Sequence, residues 1–174
     1  MKKNVIVCGV IGGLITTIMM IIATSITMKD GAIDHGAIYG YASMILAFSL
    51  IFVGVKNVRD RYDSGVISFP KAFKIGVYIA LIASTIYVIT WLFDYYFFLT
   101  DFAEKYSAQV LEKLKASGAT AAELAKKTAE MASFRKMYKN PFFNALITYM
   151  EILPVGLIVS LISALVLKRK IAKV

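Results

Sequence analysis

The chain has 174 residues, 59% of them hydrophobic, and a mean hydropathy of +0.69. That surplus excludes an ordinary soluble domain of this size, whose apolar share is far lower. A formal charge of +9 suggests nucleic acid only until the basic residues are located, because they flank the apolar runs instead of forming a patch.

A helix needs about 20 apolar residues to cross a hydrocarbon core about 30 Å thick. Val5–Met28 and Ala37–Val55 carry no charge, Ile75–Leu99 only Asp94, and Pro141–Leu167 only Glu151. The expected fold is therefore all-α: an integral membrane four-helix bundle, one domain over 1–174, with the lipid bilayer as its solvent. An external polar helical hairpin, about 101–139, is expected between spans three and four.

The first run follows Lys2 and Lys3 and could be a signal peptide, but it spans 24 residues, against about 7–15 for a signal core. It reads as a retained helix. Cys8 is the only cysteine and cannot form an internal disulfide. The connection Lys29–Gly36 holds Asp34 and His35, which read as a solvated pair, with a pH-sensitive or metal-binding role as the alternative.

Lys2, Lys3, Lys56, Arg59, Arg61, Lys71, Lys74, Lys168, Arg169, Lys170 and Lys173 fall on one side of a chain that crosses four times. Short loops rich in Lys and Arg stay in the cytoplasm, so both termini are expected there. The loop Lys56–Pro70 should lie on the same side. Ser68 before Pro70 suits a helix start, placing the third helix near Phe69. No Gly or Pro occurs from Val77 to Ser117, so the third helix is free to continue beyond the membrane.

Past Leu99, Phe102, Tyr106, Val110 and Leu114 recur every four residues among charges, a helical period. Ser117-Gly118 ends that helix, and Thr120-Ala121-Ala122-Glu123 is a capping-box sequence that starts another. Asn140-Pro141 marks the return to the membrane.

Small residues repeat at four-residue spacing in every span: Gly9 and Gly13; Gly36 and Gly40; Gly76, Ala80 and Ser84; Gly156, Ser160 and Ala164. Such rows let helix backbones approach closely, within one chain or against a second copy. Aromatic residues crowd the outer ends, from Tyr87 and Trp91 to Phe98, with Tyr39, Tyr41, Tyr138, Phe142 and Phe143. They read as interfacial anchors, an aromatic ligand site being the alternative.

The sequence shows no zinc-protease helix, phosphate loop or grouped metal ligands. No catalytic, cofactor or metal residues are assigned. Carboxylates at membrane depth are more informative, since burying an ionised group in hydrocarbon costs several kcal/mol. Glu151 lies 10 residues after Pro141, about 15 Å inward at about 1.5 Å per residue. Its simplest role is a structural hydrogen bond in the bundle, near backbone freed by Pro154. Asp94 lies near the outer end of its span and can reach interfacial water.

The whole chain resembles a bacterial inner-membrane family, the domain of unknown function numbered 4199. The resemblance rests on Gly65-Val66-Ile67-Ser68-Phe69-Pro70-Lys71-Ala72-Phe73-Lys74-Ile75-Gly76, Tyr138-Lys139-Asn140-Pro141-Phe142 and Glu151-Ile152-Leu153-Pro154-Val155-Gly156-Leu157. The basic tail Leu167-Lys168-Arg169-Lys170 completes it. It implies four spans in a bacterial inner membrane and brings no activity.

These features lead to the expectation of a non-enzymatic membrane protein with a structural or interaction role in the cell envelope. Its partner would be an envelope protein or a second copy. The alternative is a small ion- or proton-coupled permease using Glu151 and Asp94.

Overall fold

The computed structural model describes residues 1–30 and 33–169, with the side chains of 26–30 and 33–38 left out. The described residues form seven helices: α1 (Lys2–Asp30), α2 (Ile33–Phe48), α3 (Leu50–Tyr62), α4 (Phe69–Phe97), α5 (Phe102–Ala116), α6 (Ala121–Tyr138) and α7 (Pro141–Leu167). Among the described residues, four stretches are long and apolar enough to cross a membrane: Lys2–Ser25, Tyr39–Tyr62, Phe69–Phe97 and Pro141–Leu167. The chain is an all-α membrane protein with four such helices.

The second of these is α2 and α3 joined through Ser49. The Ser49 hydroxyl donates to the Leu46 carbonyl at 2.6 Å, and its amide is shared between Ile45 and Leu46 at 3.0 and 3.2 Å. A hydroxyl competing for the helix's own carbonyls bends it locally.

This helix also runs past Val55, where the charge-free stretch ends, to Tyr62. Absence of charge locates hydrocarbon, not helix ends. Arg59 is buried because its charge is met there: Nε donates to Asp60 at 2.6 Å, and Nη1 lies 3.5 Å from the carbonyl of Leu167. Leu167 is the last residue of α7, where carbonyls lack helical partners and favour a cation.

The turn after α3 uses positive φ at Ser64 (51°) and Gly65 (81°). Ile67 and Arg169 then exchange backbone hydrogen bonds of 3.2 and 2.9 Å, tying this loop to the chain after α7. Ser68 occupies the N-cap of α4 and Pro70 its first turn, but the hydroxyl makes no capping bond. Pro70 has removed one of the two amides such a hydroxyl would accept.

α4 is the central helix, packed on α7 and on α1. A Cβ added at Gly9 would stand 2.7 Å from Ile82 Cβ, and one at Gly13 2.8 Å from Ile86 Cβ. On the other side, a Cβ at Gly76 would meet Ser160 Cβ at 2.9 Å, and one at Gly156 would meet Ala80 Cβ at 2.8 Å and the Phe48 ring at 3.0 Å. Three of the four small-residue rows are thus filled within one chain. Gly40 has nothing within 4 Å of such a Cβ, and Gly36 lies outside the described side chains.

α4 does not continue into α5. The amides of Phe98 and Leu99 both turn back onto the Asp94 carbonyl, at 2.8 and 2.9 Å, and α5 begins at Phe102. Lack of Gly and Pro removes a forced stop without preventing one. Reversal brings the Phe102 ring edge-on to Trp91, with centroids 5.1 Å apart, a contact a straight helix could not make. Between α5 and α6, Gly118 takes φ 79°, and Thr120 and Glu123 form the reciprocal capping box.

Candidate functional site

Asn144, Thr148 and Glu151 are spaced by four and three residues on α7, which sets them along one side of the helix. Asn144 is fully buried, and its side-chain oxygen accepts the Trp91 indole N–H at 2.9 Å. Its amide nitrogen lies 3.5 Å from the Tyr138 carbonyl, which also accepts the Tyr96 hydroxyl at 2.9 Å. Tyr138 ends α6, so two side chains from α4 and α7 satisfy a carbonyl the helix leaves open. The Thr148 hydroxyl donates to the Asn144 carbonyl at 2.9 Å.

Rings complete this junction. Tyr95 and Tyr138 pack with centroids 5.7 Å apart, Tyr106 and Phe134 at 5.5 Å, and Phe134 and Tyr138 at 4.1 Å. The expected aromatic belt therefore divides. Trp91 and Tyr95 are buried against α5 and α6, whereas Phe93, Phe97, Phe98, Phe142 and Phe143 are exposed, as interfacial anchors are.

Beneath the junction is an open cavity of about 380 Å³. Tyr87 and Trp91 of α4, Phe102 and Tyr106 of α5, and Phe134 and Tyr138 of α6 present rings to it. Met20 and Met44 supply soft apolar walls from α1 and α2. Thr24 and Thr148 add hydroxyls whose protons are committed to the carbonyls of Met20 and Asn144 at 2.9 Å.

Glu151 is the one acidic or basic side chain on this wall among the described residues. It is exposed to the cavity, and no described residue hydrogen-bonds or ion-pairs with its carboxyl. The backbone near Pro154 makes no bond to it, and Pro154 itself is exposed within an uninterrupted α7. Burial, and then the negative charge of Glu151, push the Tyr138 phenol above the ordinary tyrosine range.

Asp94 is half-buried and does not line the cavity, so the two membrane-depth carboxylates are not brought to one site. Asp34 and His35 lie outside the described side chains. Among the described residues, no three His, Cys, Asp or Glu side chains converge as metal ligands would. Tyr87 and Trp91 belong to the expected aromatic cluster, whereas Asn144 and Thr148 were not singled out from the sequence. The available signal was the polar spacing Asn144, Thr148, Glu151 inside an apolar span.

No curated protein and no solved structure matches the chain. The family model described as protein of unknown function (DUF4199) matches residues 8–169, which takes in most of α1 and everything through α7. Since that match covers far more than half of the sequence, the chain belongs to the DUF4199 family of proteins of unknown function.

Proposed function

We propose that this is a non-enzymatic integral protein of the bacterial inner membrane, with both termini in the cytoplasm, and that α5 and α6 engage another envelope component on the opposite side. The observation that carries this reading is how α5 and α6 are held. Their inner faces are fastened to α4 by the Trp91–Phe102 and Tyr95–Tyr138 ring contacts and by the Tyr96–Tyr138 hydrogen bond. Their outer faces remain polar and exposed. A linker needs no such anchoring, whereas a surface that must present fixed side chains to a partner gains affinity from it.

An envelope protein suits the outer face better than a second copy does. The small-residue rows on α1, α4 and α7 that would seat another bundle are occupied within the chain. The test is a photo-crosslinking residue at Ala108 or Ala129, both exposed, in native membranes. One recurrent adduct from these positions, absent from controls on the lipid-facing side of α7, is expected. Adducts that vary from preparation to preparation would overturn the reading.

The cavity supports a second reading, a small ion- or proton-coupled permease using Glu151. Asp94 lies off that cavity, and the α4–α7 seam on its cytoplasmic side is packed shut at Gly76–Ser160 and Ala80–Gly156. Flux into proteoliposomes separates the two readings.

A further inference from the structure

We propose that the cavity beside Glu151 binds a lipophilic organic monocation, with the charge against the Glu151 carboxylate and the apolar body against the surrounding rings. This goes beyond the envelope-partner reading and does not depend on it: either can fail alone.

The argument begins with the carboxylate. Glu151 sits among rings and thioethers with no described partner for its charge. A carboxylate in such surroundings is costly unless it takes up a proton or a partner compensates its charge. The compensating group must fit the rest of the wall. Calcium takes about 6–8 oxygen ligands, carboxylates prominent among them, and magnesium a near-octahedral set, while this wall supplies a single carboxylate and otherwise only the neutral hydroxyls of two threonines and four tyrosines. An anion, or a zwitterionic lipid headgroup with its phosphate, would place negative charge beside the carboxylate. A neutral apolar molecule would leave that charge unmet.

An organic cation uses every part of the wall. Cations bind over aromatic faces within about 6 Å of the ring centre, most strongly where water is excluded. Tyr87, Trp91, Phe102, Tyr106, Phe134 and Tyr138 offer six rings from three helices. Met20 and Met44 can adapt to an irregular apolar body. A volume of about 380 Å³ lies within the range of small-molecule sites, about 300–1,000 Å³. Because α5 and α6 contribute part of the wall, their docking on α4 is also what forms the site.

Trp91 is the only tryptophan in the chain and lines this cavity, so its emission reports occupancy directly. The full-length protein in nanodiscs is titrated with tetraphenylphosphonium. A saturable change in Trp91 emission is expected, and neutral triphenylphosphine oxide should compete at least about tenfold more weakly, a difference of about 1.4 kcal/mol. Glu151→Gln should weaken tetraphenylphosphonium binding by about tenfold or more, while Asp94→Asn, off the cavity, should leave it unchanged. The comparison of charged and neutral ligands uses the wild-type chain and stands even if a variant fails to fold. A non-saturable change, equal binding of the neutral compound, unchanged affinity in folded Glu151→Gln, or equal weakening by Asp94→Asn would each overturn the proposal.

Discussion

Trp91 and Asn144 are joined across the α4–α7 seam by a 2.9 Å hydrogen bond from the indole Nε1 to the side-chain oxygen. Both groups are buried, and this contact links the two helices at the level where α6 returns to the bundle. The same asparagine reaches the Tyr138 carbonyl. One neutral side chain therefore couples the membrane helices to the α5–α6 pair.

Asn144→Leu should lower stability by about 1–3 kcal/mol, because it strands a buried indole N–H. Interhelical hydrogen bonds in membranes average less than this, about 0.6 kcal/mol. The lost Tyr138 contact adds to the effect. A double-mutant cycle with Trp91→Phe, followed by thermal unfolding in detergent, should return a coupling on the order of 1 kcal/mol. Additive effects would show that the bond contributes nothing.

The α4–α7 seam has no room for a methyl group at Gly156, where a Cβ would stand 2.8 Å from Ala80 Cβ. Ala80 Cβ belongs to the opposing helix and cannot rotate away, so the helices must separate. Gly156→Ala should cost about 1–3 kcal/mol, the usual range for overpacking. At Gly40 nothing lies within 4 Å, and Gly40→Ala should be neutral or stabilising by up to about 1 kcal/mol through helix propensity. Melting temperatures of the two variants make the comparison.

The features that could be read from sequence were those with local causes. The start of α4 near Phe69-Pro70, the turn at Gly118, the Thr120–Glu123 box and the Asn140-Pro141 entry each depend on backbone chemistry within a few residues. The α4–α5 break depends instead on Phe102 finding Trp91, a contact between elements that no local signal announces. Asn144 was missed because a neutral side chain leaves an apolar run apolar; its partner lies 53 residues away in sequence. For Glu151, sequence supplied depth but not direction. The direction follows from α7 turning Asn144, Thr148 and Ile152 toward the bundle, which leaves Glu151 at the edge of that stripe.

Helix α6 should fray at its start in acid. Hydrogen bonds from the Thr120 amide and hydroxyl, both 2.8 Å, hold the Glu123 carboxyl below its ordinary range. A depressed carboxylate pKa contributes stability that is complete above the unfolded value, about 4.3. That contribution is lost as pH falls through the folded value. Amide exchange at Glu123 and Leu124, corrected for its intrinsic pH dependence, should lose protection below about pH 4. Thr120→Ala should show reduced protection already at neutral pH and still lose more in acid, because its backbone amide continues to donate to Glu123.

Orientation can be read chemically. In a Cys8→Ser background, single cysteines at Ser64 and Ser117, both exposed, should differ in access to a membrane-impermeant thiol reagent. Ser117→Cys should label from outside intact cells, and Ser64→Cys only after permeabilisation, since the basic loop is expected in the cytoplasm. Equal labelling from outside would rule out the four-crossing arrangement with cytoplasmic termini.

Glu151→Leu tests whether the carboxyl has a structural role. A residue that ties the bundle together by a hydrogen bond should be rescued by Gln and harmed by Leu, because Leu would strand its partner. Glu151 has no described partner and opens into a ring-lined cavity, so Leu strands nothing. It also removes a charge that is unfavourable near hydrocarbon and adds apolar contact with the walls. Glu151→Leu should therefore match or exceed wild-type stability, and Glu151→Gln should lie close to both. Thermal unfolding of the three proteins in one detergent decides the matter. A loss of more than about 1 kcal/mol in Leu, with Gln unaffected, would reinstate a structural hydrogen bond. A Leu variant more stable than wild type would mark Glu151 as a residue retained at a cost to the fold, as is expected of groups whose work is binding, and equal stability across the three would show that the carboxyl has no structural role.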